Sequence, residues 1–145
     1  MPNTEPEIDN STNLVHVAVG VVINHYRQVL VAYRHKDQHQ GGLWEFPGGK
    51  VEPGESVQQA LRRELDEEVN IRVEMLGHIM DIHHDYGDKK VYLDVWYVVG
   101  FTGDVKGKEG QEIKWVDQDE LESLDFPEAN LPILDEVKKL LNSQR

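Results

Sequence analysis

Glu64, Glu67 and Glu68 stand at offsets i, i+3 and i+4 in the segment GKVEPGESVQQALRRELDEEVNI, which runs from Gly49 to Ile71 and carries six carboxylates. Those offsets put all three side chains on one stripe of a helix. Like charges so close repel, and the stripe therefore calls for a neutralising cation. Mg²⁺ takes oxygen ligands and keeps several waters, which suits a donor set of this kind. The approach, EFPGG, is an apolar strand-like run that breaks into a Pro-Gly-Gly turn. A strand, a glycine loop and an acidic helix suit a divalent metal and the phosphates it carries. Hydrolysis of a phosphoanhydride by water needs those same parts: charge neutralisation, a polarised water and an acceptor for its proton.

Several elements must position this stripe. Ser56 is a good N-cap, and the helix it opens is expected to run to about Val69. Leu61, Leu65 and Val69 form its apolar stripe, a little over a quarter turn from the acidic one, so the helix can pack on a sheet and still show carboxylates to a cleft. Asn70 is suited to the left-handed exit position. Upstream, the β-branched run from Leu14 to Ile23 reads as a strand buried on both faces for part of its length. A turn over Asn24 to Gln28 leads to a second strand, Val29 to Arg34, then a polar loop (Lys36 to Gly42) and the short apolar piece Leu43 to Phe46. Downstream, Ile71 to His83 and Val91 to Phe101 read as a long antiparallel pair joined by HDYGDKK. The loop Thr102 to Gly110, a strand over Glu112 to Val116, a short helix opened by Asp117 and an amphipathic helix from Leu131 to Leu141 complete the chain. Strands and helices alternate without a regular βαβ repeat, which predicts an α+β fold with a mixed central sheet between helices. Residues 1–13 are expected to be a flexible tail and 14–145 one domain.

The chain has 145 residues, no cysteine and a formal charge of −12. The absence of cysteine excludes disulfides, thiolate catalysis and cysteine-based zinc sites. The acidity argues against a binder of nucleic-acid polymers or anionic membranes. No apolar run approaches the ~20 residues of a membrane helix, and the acidic N-terminus is unlike a secretory signal, so a cytosolic protein is expected. A phosphorylated substrate must enter through bound cations and a few local Lys or Arg residues. His83-His84 makes a poor metal pair, since adjacent strand residues point to opposite faces.

The acidic segment resembles the Nudix box, G-x5-E-x7-R-E-U-x-E-E-x-G-U, at Gly49, Glu55, Arg63, Glu64, Leu65, Glu67, Glu68 and Ile71. It departs from that pattern at Asn70, where the box has glycine; Asn tolerates the left-handed conformation, so the helix exit should survive. WEFPGGKVEPGES, GKEGQ (Gly107 to Gln111) and DFPEAN (Asp125 to Asn130) are similar to segments of the MutT branch, in the same order, over nearly everything from Val15 to Leu141. The resemblance implies a Nudix-type α/β/α sandwich and a pyrophosphohydrolase using Mg²⁺, with Mn²⁺ as an alternative. Its substrates would be oxidised purine nucleoside triphosphates, 8-oxo-dGTP above all, in nucleotide-pool sanitation. It implies Gly48, Glu64, Glu67, Glu68 and Glu109 as the metal-binding set, and Glu64 or Glu109 as general base. Arg63 would orient the carboxylates by a bidentate salt bridge, Glu55 would bond loop amides or orient Arg63, and Lys50 would meet a phosphate, stabilise the leaving group or lie in solvent.

Specificity must come from other residues. Asn130 matches the position at which that branch reads the purine edge, and a side-chain amide offers the donor and acceptor that the O6 and N7 edge of an 8-oxo-purine demands. It could equally cap the last helix, because Pro132 sits just inside. Arg34 and His39 match nucleotide-contacting positions. Glu45, Phe46, Pro47 and Gly48 would line the same pocket, with Phe46 stacking on the base or forming the wall and Trp44 the tryptophan nearest to it. A Nudix specificity for CTP or 5-methyl-dCTP and a non-catalytic nucleotide-binding Nudix domain are the rival readings. A monomer is expected, and a dimer is compatible with the same sequence.

Overall fold

A computed structural model describes residues 14–34 and 42–143. The expected N-terminal tail and His39 lie outside the described residues. Among the described residues, seven strands and three helices follow in the order β1 (Leu14–Val22), β2 (Val29–Tyr33), β3 (Trp44–Glu45), β4 (Gly48–Lys50), α1 (Val57–Val69), β5 (Arg72–Asp85), β6 (Lys90–Thr102), β7 (Ile113–Val116), α2 (Gln118–Ser123) and α3 (Leu131–Ser143), with a 3₁₀ turn at Glu128–Asn130 before α3.

The mixed sheet has strand order β4-β1-β6-β5. β1 runs parallel to β6 and antiparallel to β4, while β5 and β6 form the long hairpin. A second, antiparallel sheet of order β3-β2-β7 was not foreseen as separate. Its strands are short and local sequence does not say which partner they take. The β5–β6 pair reaches further than expected, to Asp85 and Lys90, which leaves only residues 86–89 for the turn.

α1 forms where its caps predict. Ser56 Oγ accepts from Gln59 N and the Gln59 side chain accepts from Ser56 N, a complete capping box. At the other end Asn70 sits at φ 65°, ψ 38°, the left-handed exit that the box glycine would otherwise supply. Ala60, Leu61, Leu65 and Val69 are fully buried against Ala18, Val22, Ile71 and Val98. Burial of each such leucine stabilises the fold by about 1.5–3 kcal/mol. The opposite face of the sheet packs Val19, Val21 and Val95 against Leu121 of α2 and Ile133, Val137 and Leu141 of α3. Helices thus cover both faces of the mixed sheet, and α1 is pinned to it along one stripe.

Candidate active site

Two glycines let α1 close on β4. A side chain at Gly49 would meet the Glu64 carboxyl group, and one at Gly48, whose φ is +154°, would meet the Ala18 backbone carbonyl. Glu64 therefore occupies the space over Gly49. One turn along, Glu68 Oε1 accepts the Gly48 N–H at 3.1 Å. The strand and the acidic helix face meet with nothing between them.

Arg63 organises the carboxylates. It grips Glu55 with two hydrogen bonds (Nε to Oε2 at 2.7 Å and Nη2 to Oε1 at 2.9 Å), reaches Glu64 Oε2 at 3.0 Å and Glu67 Oε1 at 3.3 Å through Nη1, and donates to the Lys50 carbonyl at 3.2 Å. Glu55 in turn accepts the Glu52 N–H. The Arg63 hydrogen bond, helped by that amide, lowers the Glu55 carboxyl to about 2. Arg63 is itself held more firmly in its charged form by Glu55 and Glu64. The loop after β6 docks on the end of α1: Lys108 N and Gln111 Nε2 donate to the Glu68 carbonyl, Lys106 N to that of Val69, and the Asn70 side chain to that of Asp104. This carries Glu109, which is exposed, into electrostatic reach of Glu64 and Glu68.

Burial pushes the Glu68 carboxyl up to about 8, with the charges of Glu45, Glu64 and Glu109 adding to it and the Gly48 amide only partly offsetting it. Glu64 is raised by burial too, against the pull of Arg63. Several carboxylates that disfavour one another's charge, with one backbone amide to serve the most buried, form an oxygen donor set that fits a hard divalent cation. Glu67 is the more exposed member of the stripe.

β4 also forms the rim of a cleft of about 200 Å³. Gly48, Gly49 and Lys50 line it together with Arg34, Glu45, Phe46, Pro127, Ala129 and Asn130. Arg34 Nη1 bonds Glu45 Oε1 at 2.8 Å, and burial raises the Glu45 carboxyl although Arg34 opposes the shift. Phe46 is 4 % exposed and stacks on Phe126, so it backs the wall. Pro47 is buried with its carbonyl on Gly20 N and does not line the cleft. Nor does Trp44, expected nearest to it, which packs edge-on to Tyr33 under the Lys114 ammonium. Asn130 closes the 3₁₀ turn through its backbone N–H on Pro127 and is among the residues that line the cleft.

Besides apolar wall residues of β1 and β6, two polar lining residues, Tyr86 and Lys89, are not evident from the sequence. Tyr86 and Lys89 come from the β5–β6 turn, and the Tyr86 hydroxyl accepts the Ala129 N–H at 3.0 Å, clamping that turn onto the segment that carries Asn130. The one signal was an aromatic residue in an otherwise polar turn.

The site can be set beside known proteins. The NUDIX domain profile matches residues 18–136. The chain is 36 % identical over 126 residues to the 8-oxo-dGTP diphosphatase of Escherichia coli K12, covering 87 % of this chain and 98 % of that one. It is 34 % identical over 117 residues to the CTP pyrophosphohydrolase of the same organism, covering 81 % and 87 %. A solved MutT structure, from work on the Aliivibrio salmonicida and Vibrio cholerae proteins, superimposes with a TM-score of 0.74 at 38 % identity over 86 % of this chain and 96 % of that chain. With the box residues gathered on α1 and β4 and the profile spanning both sheets, this chain belongs to the Nudix domain family.

Proposed function

We propose that this protein hydrolyses 8-oxo-dGTP and related oxidised purine nucleoside triphosphates to the monophosphate and pyrophosphate. The observation that carries the reading is the meeting of two features across β4: the carboxylate stripe of α1 on one side and, on the other, a cleft that Asn130 helps to line. The relatives named for 8-oxo-dGTP support the substrate class.

Gly48, Glu67, Glu68 and Glu109 would hold Mg²⁺ together with Glu64. When bound, such an ion neutralises phosphate charge and makes a coordinated water more acidic. The base enters the cleft, and the Asn130 amide accepts the N7–H of the 8-oxo-purine and donates to O6. Lys50, Lys89 and Arg34 lie along the cleft and offset phosphate charge. Water attacks the β-phosphorus; a new P–O bond forms, the α–β bridging bond breaks, and the bridging oxygen leaves with the monophosphate. Glu64, which Arg63 holds in place over Gly49, or Glu109 on the neighbouring loop receives the water proton. Arg63 and Glu55 are positioning residues.

Steady-state kinetics with 8-oxo-dGTP, dGTP and CTP test this. The oxidised purine should be preferred by orders of magnitude in kcat/KM, and Asn130→Ala should reduce that preference by roughly 10–100-fold, the worth of about 1–3 kcal/mol for an unpaired polar edge. Equal or better use of CTP would overturn the substrate assignment and favour the specificity of the second E. coli relative.

A further inference from the structure

The mixed sheet carries a second polar cluster, built on β1, β5 and β6 rather than on α1 and β4. Asp94 of β6, 6 % exposed, is the buried charged residue among those described. Its Oδ1 accepts the Trp96 indole N–H at 2.7 Å, and its Oδ2 meets the Tyr92 hydroxyl at 3.2 Å and His16 Nε2 at 3.0 Å. On β5, His78 Nε2 lies 3.0 Å from Asp81 Oδ1 and 3.6 Å from Asp94 Oδ1. Ligand atoms of His78, Asp81 and Asp94 all fall within 4.8 Å of one another.

An irregularity in the strand makes this possible. Residues three apart on a regular strand point to opposite faces. A register shift between His78 and Met80 inserts one residue, so that His78 pairs with Trp96 while Asp81 pairs with Asp94. Both side chains then project from the face that carries Asp94. Bulges re-aim side chains in this way beside functional sites.

We propose that His78, Asp81 and Asp94 form a second metal site, specific for a borderline first-row divalent ion of the Zn²⁺ class. Zn–N and Zn–O bonds of about 2.0–2.2 Å in a tetrahedron separate their ligand atoms by roughly 3.3–3.6 Å, and the two His78 separations lie close to that spacing. One imidazole nitrogen with two carboxylate oxygens favours such an ion over Mg²⁺, which prefers oxygen alone. Trp96 Nε1 donates to Asp94 Oδ1, and the Tyr92 hydroxyl lies 3.1 Å from Asp81 Oδ1, so neighbouring donors hold both carboxylates in place, as supporting hydrogen bonds do around bound metals. His78 and Asp81 are about half exposed, so the ion has an entry path and room for a water as fourth ligand.

The test uses the full chain carrying Glu64→Gln and Glu68→Gln, which weakens the box site, and titrates Zn²⁺ by calorimetry and Co²⁺ by visible absorption. The chain has no cysteine, so a tetrahedral Co²⁺ band cannot arise from thiolate. One ion per chain is expected, bound at least tenfold more weakly after His78→Ala or Asp81→Asn. In the otherwise unaltered protein His78→Ala should leave Mg²⁺-supported turnover unchanged. Imidazole NMR of the unsubstituted protein gives an independent readout: the His78 ring signals should shift on adding Zn²⁺. Binding that His78→Ala leaves unchanged, or His78 signals unmoved at saturating Zn²⁺, would overturn the proposal.

Discussion

Replacing Glu68 by glutamine should make the metal-free protein more stable as pH rises, while removing its response to Mg²⁺. In the folded chain burial and neighbouring carboxylates lift the Glu68 carboxyl from 4.5 to about 8. Between those values the folded state holds a proton that the unfolded state has released. Stability from this group is therefore greatest below 4.5 and falls as pH rises towards 8, at about 1.4 kcal/mol per pH unit. From pH 5 to 7.5 the loss is on the order of 2–3 kcal/mol, allowing for partial solvent access. Glutamine keeps the shape, can still accept from Gly48 N and cannot ionise, so the variant escapes this loss. Urea unfolding in chelator at pH 5, 6, 7 and 7.5 reads the effect. Subtracting one protein's curve from the other cancels the histidines, and the midpoints should diverge by on the order of 1 M by pH 7.5. Mg²⁺ reverses the order: the wild type gains stability by binding the ion and the variant does not. Parallel pH profiles in chelator, or equal Mg²⁺ stabilisation, would refute the electrostatic account of this helix face.

The remaining perturbations separate positioning from folding. Gly49→Ala places a methyl group against the end of the Glu64 side chain, which can swing aside; the melting temperature should move by no more than a few degrees while kcat falls at least 100-fold, and an unaffected kcat would mean Glu64 need not sit over Gly49. Arg63→Lys loses the fork that grips Glu55 while reaching Glu64 and Glu67; kcat should drop 10-fold or more with KM little changed, and a KM effect alone would place Arg63 on substrate. Glu55→Gln removes a carboxyl depressed to about 2. The stability this group adds above its unfolded value is lost as pH falls from about 4.5 towards 2, so acid unfolding of the variant should be less steep there; identical acid curves would argue against the pairing.

Much of the site was legible because its chemistry is local in the chain. Helical offsets alone put Glu64, Glu67 and Glu68 on one stripe, Ser56 and Asn70 marked both ends of α1, and Leu61, Leu65 and Val69 marked the face that meets the sheet. Periodicity and capping report on residues a few positions apart. Contacts between distant segments leave no such trace. The parallel pairing of β1 with β6 joins residues more than seventy positions apart, and nothing in either strand names its partner. Tyr86 meets Ala129 only because a long hairpin and the turn before α3 end at the same edge. The register shift that turns His78 towards Asp94 is likewise invisible until the β5–β6 register is known. Sequence by itself determined the helix and the stripe of carboxylates along it, since these follow from spacing. Tertiary structure alone decided how deeply Glu68 is buried, which residues wall the cleft and where the histidines point, because burial and cross-strand register are properties of the assembled sheet.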